Sequence, residues 1–112
     1  MQRRNVDPTS LPEIGARLAL TRRALGHTQA KMASLMGSST SGQAWENYEA
    51  GRRRISIDHA LALHRTVGLT LPWIYEGELD TLERRLADAV RREMHRLNGG
   101  QSPTSLRGRA GR

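Results

Sequence analysis

The stretch TQAKMASLMGSSTSGQAWENYEAG, residues 28–51, decides the fold. Thr28 is a capping residue placed directly before a short helical pattern over 29–36, in which Met32, Ala33 and Met36 share one face. Gly37 ends that pattern. Ser38 to Gly42 contains only Ser, Thr and Gly, which reads as a turn of small residues. A second short helix follows over 42–50. Ala44, Trp45 and Tyr48 fall on its inner side, and Gly42, Gln43, Glu46 and Asn47 fall outside. Gly51 stops it.

Working outward, Ser10 with Pro12 and Glu13 gives an N-terminal capping signature. Residues 11–25 then place Ile14, Leu18, Thr21, Arg22 and Leu25 on one helical face, ended by Gly26. Downstream, Arg52-Arg53-Arg54 form a basic loop. Ser56 caps a helix over 57–67 carrying Ala60, Leu61 and His64, and Gly68 ends it. Residues 71–75 form a short fifth helix with Trp73 and Ile74. After Gly77 a charged, periodic segment over 78–97 aligns Leu79, Leu82, Leu86, Ala89 or Val90, Met94 and Leu97. No stretch has the alternation of a strand. The predicted fold class is therefore all-α, organised as a flexible lead-in (1–10), a five-helix domain (11–77), a C-terminal helix (78–98) and a disordered basic tail (99–112).

Composition bounds the function. A chain of 112 residues, 37% apolar and without Phe, has room for one small core resting on Leu, Ile, Ala, Met and two Trp. It has no run of apolar residues long enough to cross a membrane. Basic residues at Met1-Gln2-Arg3-Arg4-Asn5 are not followed by an apolar stretch, so no secretory signal is expected. The absence of Cys excludes a disulfide framework and a thiolate metal site, which fits a cytoplasmic protein. His27, His59, His64 and His95 do not form a zinc-ligand pair, so no metal or other cofactor is expected. Without a phosphate-cradling glycine loop or a nucleophile elbow, an enzyme is not expected either. Eighteen Lys and Arg against eleven Asp and Glu give +7, and every base but Lys31 is Arg. Arginine's rigid fork suits phosphate and guanine edges, so the charge points to a polyanionic partner.

Two short capped helices joined by a tight turn are the physical recipe for a helix-turn-helix. The second helix of such a pair is narrow enough to enter the major groove. Residues 14–75 resemble the phage-repressor and Cro-type (XRE-type) helix-turn-helix family. The resemblance rests on Ile14-Gly15-x-Arg17-Leu18, Arg22-x-x-Leu25-Gly26-x-Thr28-Gln29, Met36-Gly37, Trp45-Glu46-Asn47-Tyr48-Glu49-x-Gly51-x-Arg53 and Val67-Gly68-Leu69-x-Leu71-x-Trp73-Ile74. It implies a five-helix repressor-like domain that binds double-stranded DNA. One departure stands out: Gly37 to Gly51 is about two residues longer than the family's usual spacing, the extra residues falling in Ser38–Thr40.

Carried onto this sequence, the resemblance makes Gln43 and Asn47 the base readers, since an amide pairs bidentately with adenine. Ala44 and Glu46 are further base-contacting candidates. Thr28, Gln29, Ser41 and Gly42 would lie at the DNA backbone, with Gln29 donating to a phosphate. Arg22 and Glu49 resemble the family's internal salt bridge. Independently, Arg52, Arg53 and Arg54 stand at the mouth of this face as phosphate contacts. The stripe Leu79, Leu82, Leu86, Val90 and Leu97 is more apolar than a solvated helix needs and is expected to form a homodimer seam, the alternative being that it packs on its own domain. The resulting expectation is a homodimeric, sequence-specific transcriptional regulator. The alternative is the antitoxin of a toxin–antitoxin pair, which would add a protein partner.

Overall fold

In the computed structural model, which describes residues 6–98, the chain forms six α-helices and no strand among those residues. The helices are α1 (Leu11–Leu25), α2 (Gln29–Met36), α3 (Gly42–Glu49), α4 (Ile57–Val67), α5 (Leu71–Glu76) and α6 (Arg84–Leu97). The first five residues and the expected basic tail lie outside the described residues. Helix starts are set by side-chain oxygens. Thr28, Ser41, Ser56 and Thr70 each accept a backbone N–H three residues on, at the starts of α2 to α5. Ser10 differs from its predicted role: it occupies the cap position of α1, but its side chain makes no cap bond.

α1 is the hub. It packs against α3, α5 and α6. The sequence pattern revealed one of its faces, but Ile14, Gly15, Arg17, Leu18, Leu20 and Thr21 are all buried, so it is covered on more than one side. Trp45 from α3 and Trp73 from α5 are fully buried among Ile14, Leu18, Met32, Leu63 and Leu69. The Trp73 indole N–H donates to Thr21 Oγ1 at 2.9 Å, so the tryptophan's one polar atom is satisfied inside the core. On α4 the inner face is Ala60 and Leu63; Leu61 is half-buried and His64 is exposed.

The C-terminal element departs most from expectation. The continuous helix predicted from residue 78 is a short 3-10 turn, Leu79–Thr81, then an extended Leu82, then α6. The Thr81 hydroxyl donates to the Glu78 carbonyl at 2.7 Å and competes with helical continuation. The alternative reading of the apolar stripe, packing on its own domain, is the arrangement seen within the chain. Leu82, Leu86 and Val90 are buried against their own domain, Leu79 is partly buried on the same core, and Leu97 alone of the five is exposed. Met94 and Leu97 share a hollow with Ala16, Ala19 and Leu20 of α1. The physical reason is tethering: a short turn delivers α6 to α1 at an effective concentration that a second copy cannot match. Val90→Asp is accordingly expected to cost about 3 kcal/mol, by placing a carboxylate at a fully buried site. Urea unfolding reads the loss. A change in mass with stability intact would instead identify the stripe as an intermolecular seam.

The lead-in is also less free than predicted. Asp7 accepts from the backbone N–H and hydroxyl of Thr9, closing a turn, and the Pro8 and Thr9 carbonyls accept from Arg17 and Arg54.

Candidate nucleic-acid interface

The geometry of the interface follows from how α3 is held. Its inner side chains, Trp45 and Tyr48, are buried, while Gln43 and Glu46 are exposed and Asn47 and Ala44 are half-buried. α2 packs across α3, and α1 packs beneath it. The close approach of α1 depends on Gly15. A Cβ there would stand 2.6 Å from the carbonyl oxygens of both Tyr48 and Glu49.

Glu49 ties the assembly together. Its carboxylate accepts from Arg22 Nε, from Gln29 Nε2 at 3.0 Å and from the Trp45 indole N–H. One carboxylate therefore joins α1, α2 and α3. Burial alone would raise the Glu49 pKa, but the hydrogen bonds from Arg22, Gln29 and Trp45 outweigh it and hold the carboxyl below its ordinary value. Arg22 and Glu49 are thus brought together as an ion pair with 16% and 9% of their side chains exposed. Gln29 sits differently from its predicted role. One amide N–H is turned onto Glu49, leaving only the other for a phosphate.

On the outer edge, Asn47 Oδ1 accepts from Gln43 Nε2 at 3.3 Å and from Arg52 Nη1 at 3.0 Å. The two predicted base readers and the first loop arginine therefore form one interlocked strip. Arg54 points the other way, to the Thr9 carbonyl at 2.8 Å. Arg53 is exposed and makes no hydrogen bond or ion pair among the described residues. Thr28 and Ser41 are exposed and accept cap bonds at 3.0 and 3.2 Å, which leaves each O–H hydrogen free to donate. Nothing stands within 4 Å of where a Cβ on Gly42 would lie, so the start of α3 is open to close approach.

A family model described as a helix-turn-helix domain matches residues 13–72. The chain belongs to this helix-turn-helix family. Comparison with curated proteins and with solved structures returned no match. In this motif the second helix is the one presented to the DNA major groove, and the domain is that of DNA-binding regulators. Within the matched residues, α2 and α3 are the two short helices joined by a turn. No helix among the described residues is long and apolar enough to cross a membrane.

The helix-turn-helix relies on residues to which the sequence reading gave no role. Arg17 is 5% exposed and, among the described residues, has no carboxylate partner within ion-pair distance. Its guanidinium donates to the Trp73 and Ile74 carbonyls at 2.9 and 3.0 Å, capping the end of α5. Burial lowers its pKa, and the charge of Glu13 opposes that shift. Ile55 is buried directly after the three arginines and accepts the Tyr75 hydroxyl on its carbonyl at 2.7 Å, which anchors the basic loop. An apolar residue stranded in a charged loop was the available signal for Ile55. A buried arginine held by carbonyls leaves none.

Proposed function

We propose that the chain is a sequence-specific, double-stranded-DNA-binding transcriptional regulator of the cytoplasm that reads the major groove with α3. The observation that supports this is the edge of exposed Gln43 and Glu46 with half-buried Asn47, on a helix whose other face is locked into the core. Such an edge carries amides suited to adenine and a carboxylate suited to cytosine. In the free protein the Gln43–Asn47–Arg52 strip keeps these side chains ordered before DNA arrives. On binding, Asn47 exchanges those bonds for a base edge, and Arg52 is released toward phosphate. Arg53 joins it there, and Thr28, Gln29 and Ser41 donate their remaining hydrogens to the backbone, beside the open Gly42.

Gln43→Ala and Asn47→Ala are each expected to weaken operator binding by about 1–3 kcal/mol. Titration of a labelled duplex measures this, with a scrambled duplex as the reference. Full operator affinity in the double variant would overturn the groove assignment. Arg53→Ala is expected to weaken binding to every sequence alike and to reduce the salt slope by about one.

A domain of this size covers one half-site, which supports a homodimer on a two-fold operator. The seam in that reading lies outside the buried stripe of Leu82, Leu86 and Val90. Sedimentation of the DNA complex gives the stoichiometry, and one copy on a saturated palindromic duplex would refute the dimer.

A further inference from the structure

The lengthened turn before α3 contains two exposed serines, Ser38 and Ser39, and the half-buried Thr40. The Thr40 backbone N–H closes the turn onto the Gly37 carbonyl at 3.0 Å. Among the described residues, one side-chain hydrogen bond ties residues 37–40 to the rest of the domain. It joins Thr40 Oγ1 and His59 Nε2, 3.5 Å apart. The other ring nitrogen, Nδ1, lies 2.9 Å from the Tyr48 hydroxyl. The two rings meet edge to face, with centroids 5.8 Å apart and planes at 66°. His59 stands in the first turn of α4, where Ser56 caps the helix by accepting its backbone N–H. One imidazole therefore bridges the turn, the buried face of α3 and α4.

We propose that His59 is a positioning residue for base reading: it fixes where α3 begins, and so which side chains face the bases. The inference rests on the reading of α3 as the helix that enters the groove. A neutral imidazole offers one donor and one acceptor, and each hydroxyl can serve either role. A single tautomer thus holds both neighbours at once. The turn itself is Ser, Thr and Gly and brings no apolar side chain of its own to plug into the core. Thr40 directly precedes Ser41, whose hydroxyl oxygen caps α3, and Gln43 follows two residues later. A shift of Thr40 therefore moves the cap and the first turn of the recognition helix. The far end of α3 stays clamped by Glu49, so the domain keeps its fold while its groove-facing edge loses definition.

The test uses the full chain. A random duplex library is first enriched on the wild-type protein to obtain its preferred sequence. Wild type, His59→Ala, His59→Gln, Thr40→Val and Tyr48→Phe are then titrated on that duplex and on a scrambled one, with thermal unfolding of each. His59→Ala is expected to lose about tenfold of the preference for the selected duplex while binding the scrambled duplex within about twofold of wild type. His59→Gln, whose amide offers a donor group and an acceptor group, is expected to recover most of the preference. Thr40→Val and Tyr48→Phe each reproduce part of the loss. Nitrogen-15 spectra of the His59 ring are expected to report one tautomer in wild type and a mixture in Thr40→Val. Unchanged preference in His59→Ala overturns the proposal. So does an equal loss on both duplexes with a lowered melting temperature, which marks a structural role alone. A wild-type chain that enriches no motif overturns the base-reading proposal itself, before any variant is compared.

Discussion

Gly15→Ala is expected to cost about 3 kcal/mol of stability, even though alanine is the better helix former by about 1 kcal/mol. The two effects have opposite signs, and the geometry decides between them. Gly15 lies inside α1 with helical backbone, so its replacement carries no φ penalty and gains the usual entropy. The new methyl, however, would sit 2.6 Å from two backbone carbonyl oxygens, those of Tyr48 and Glu49. A flexible side chain could swing away from such a clash, but a helix end cannot. Either α1 and the end of α3 separate or both helices tilt. The first opens a gap beneath Trp45, and the second strains the carboxylate cluster at Glu49.

Thermal unfolding is the direct measurement, and a loss of this size corresponds to at least about 12 °C in a domain of these dimensions. DNA binding supplies the functional half. Because the clash falls at the C-terminal end of α3, the variant should bind its operator more weakly than its residual folded fraction explains. A melting temperature within about 3 °C of wild type would show that the approach of α1 to α3 is looser than the geometry requires.

The contrast between Gly15 and α6 shows what was legible in the sequence and why. The bounds of α1, α2 and α4 follow from local chemistry: a hydroxyl or proline at the start, glycine at the end and apolar spacing between. Those signals act within a turn or two of the chain, so a sequence displays them. The outer edge of α3 was legible for the same reason, since Trp45 and Tyr48 fix which side faces inward. The destination of the α6 stripe was not legible. Leu82, Leu86 and Val90 announce that a face must be covered but not by what, and a second copy and the chain's own α1 satisfy that demand equally in one dimension. Leu20 sits off the α1 face chosen from the pattern and was the missing half of that contact. Gln29 shows the same limit at the site. Its position at the start of α2 suggested a phosphate, and only the fold brings Glu49 within 3.0 Å of it. Close approach and long-range hydrogen bonding depend on sequence separations that no periodicity records.

Glu49→Ala is the second large effect, and the same cluster gives it a pH dependence. Removing the carboxylate leaves the Arg22 guanidinium, the Trp45 indole and the Gln29 amide without their shared acceptor, in a place where water reaches only part of the cluster. A cost of about 3 kcal/mol is expected, because a charge stripped of its partner must still be held near the interior. Glu49→Gln keeps the shape and loses the charge, so it should fall between alanine and wild type. Arg22→Leu combined with Glu49→Leu should cost less than Glu49→Ala alone, since no orphaned charge remains. The folded-state pKa of Glu49 is depressed. Its contribution is therefore fully present above the pKa of an unfolded glutamate and is lost as the pH falls through the lower folded value. Denaturant unfolding from neutral to acidic pH should thus show a destabilising acid limb in wild type that is shallower in Glu49→Gln. An identical limb in both proteins would place the acid sensitivity in other carboxylates. As Glu49 joins α1 and α2 to the last turn of α3, loss of operator affinity should track protonation of this one group before the domain as a whole unfolds.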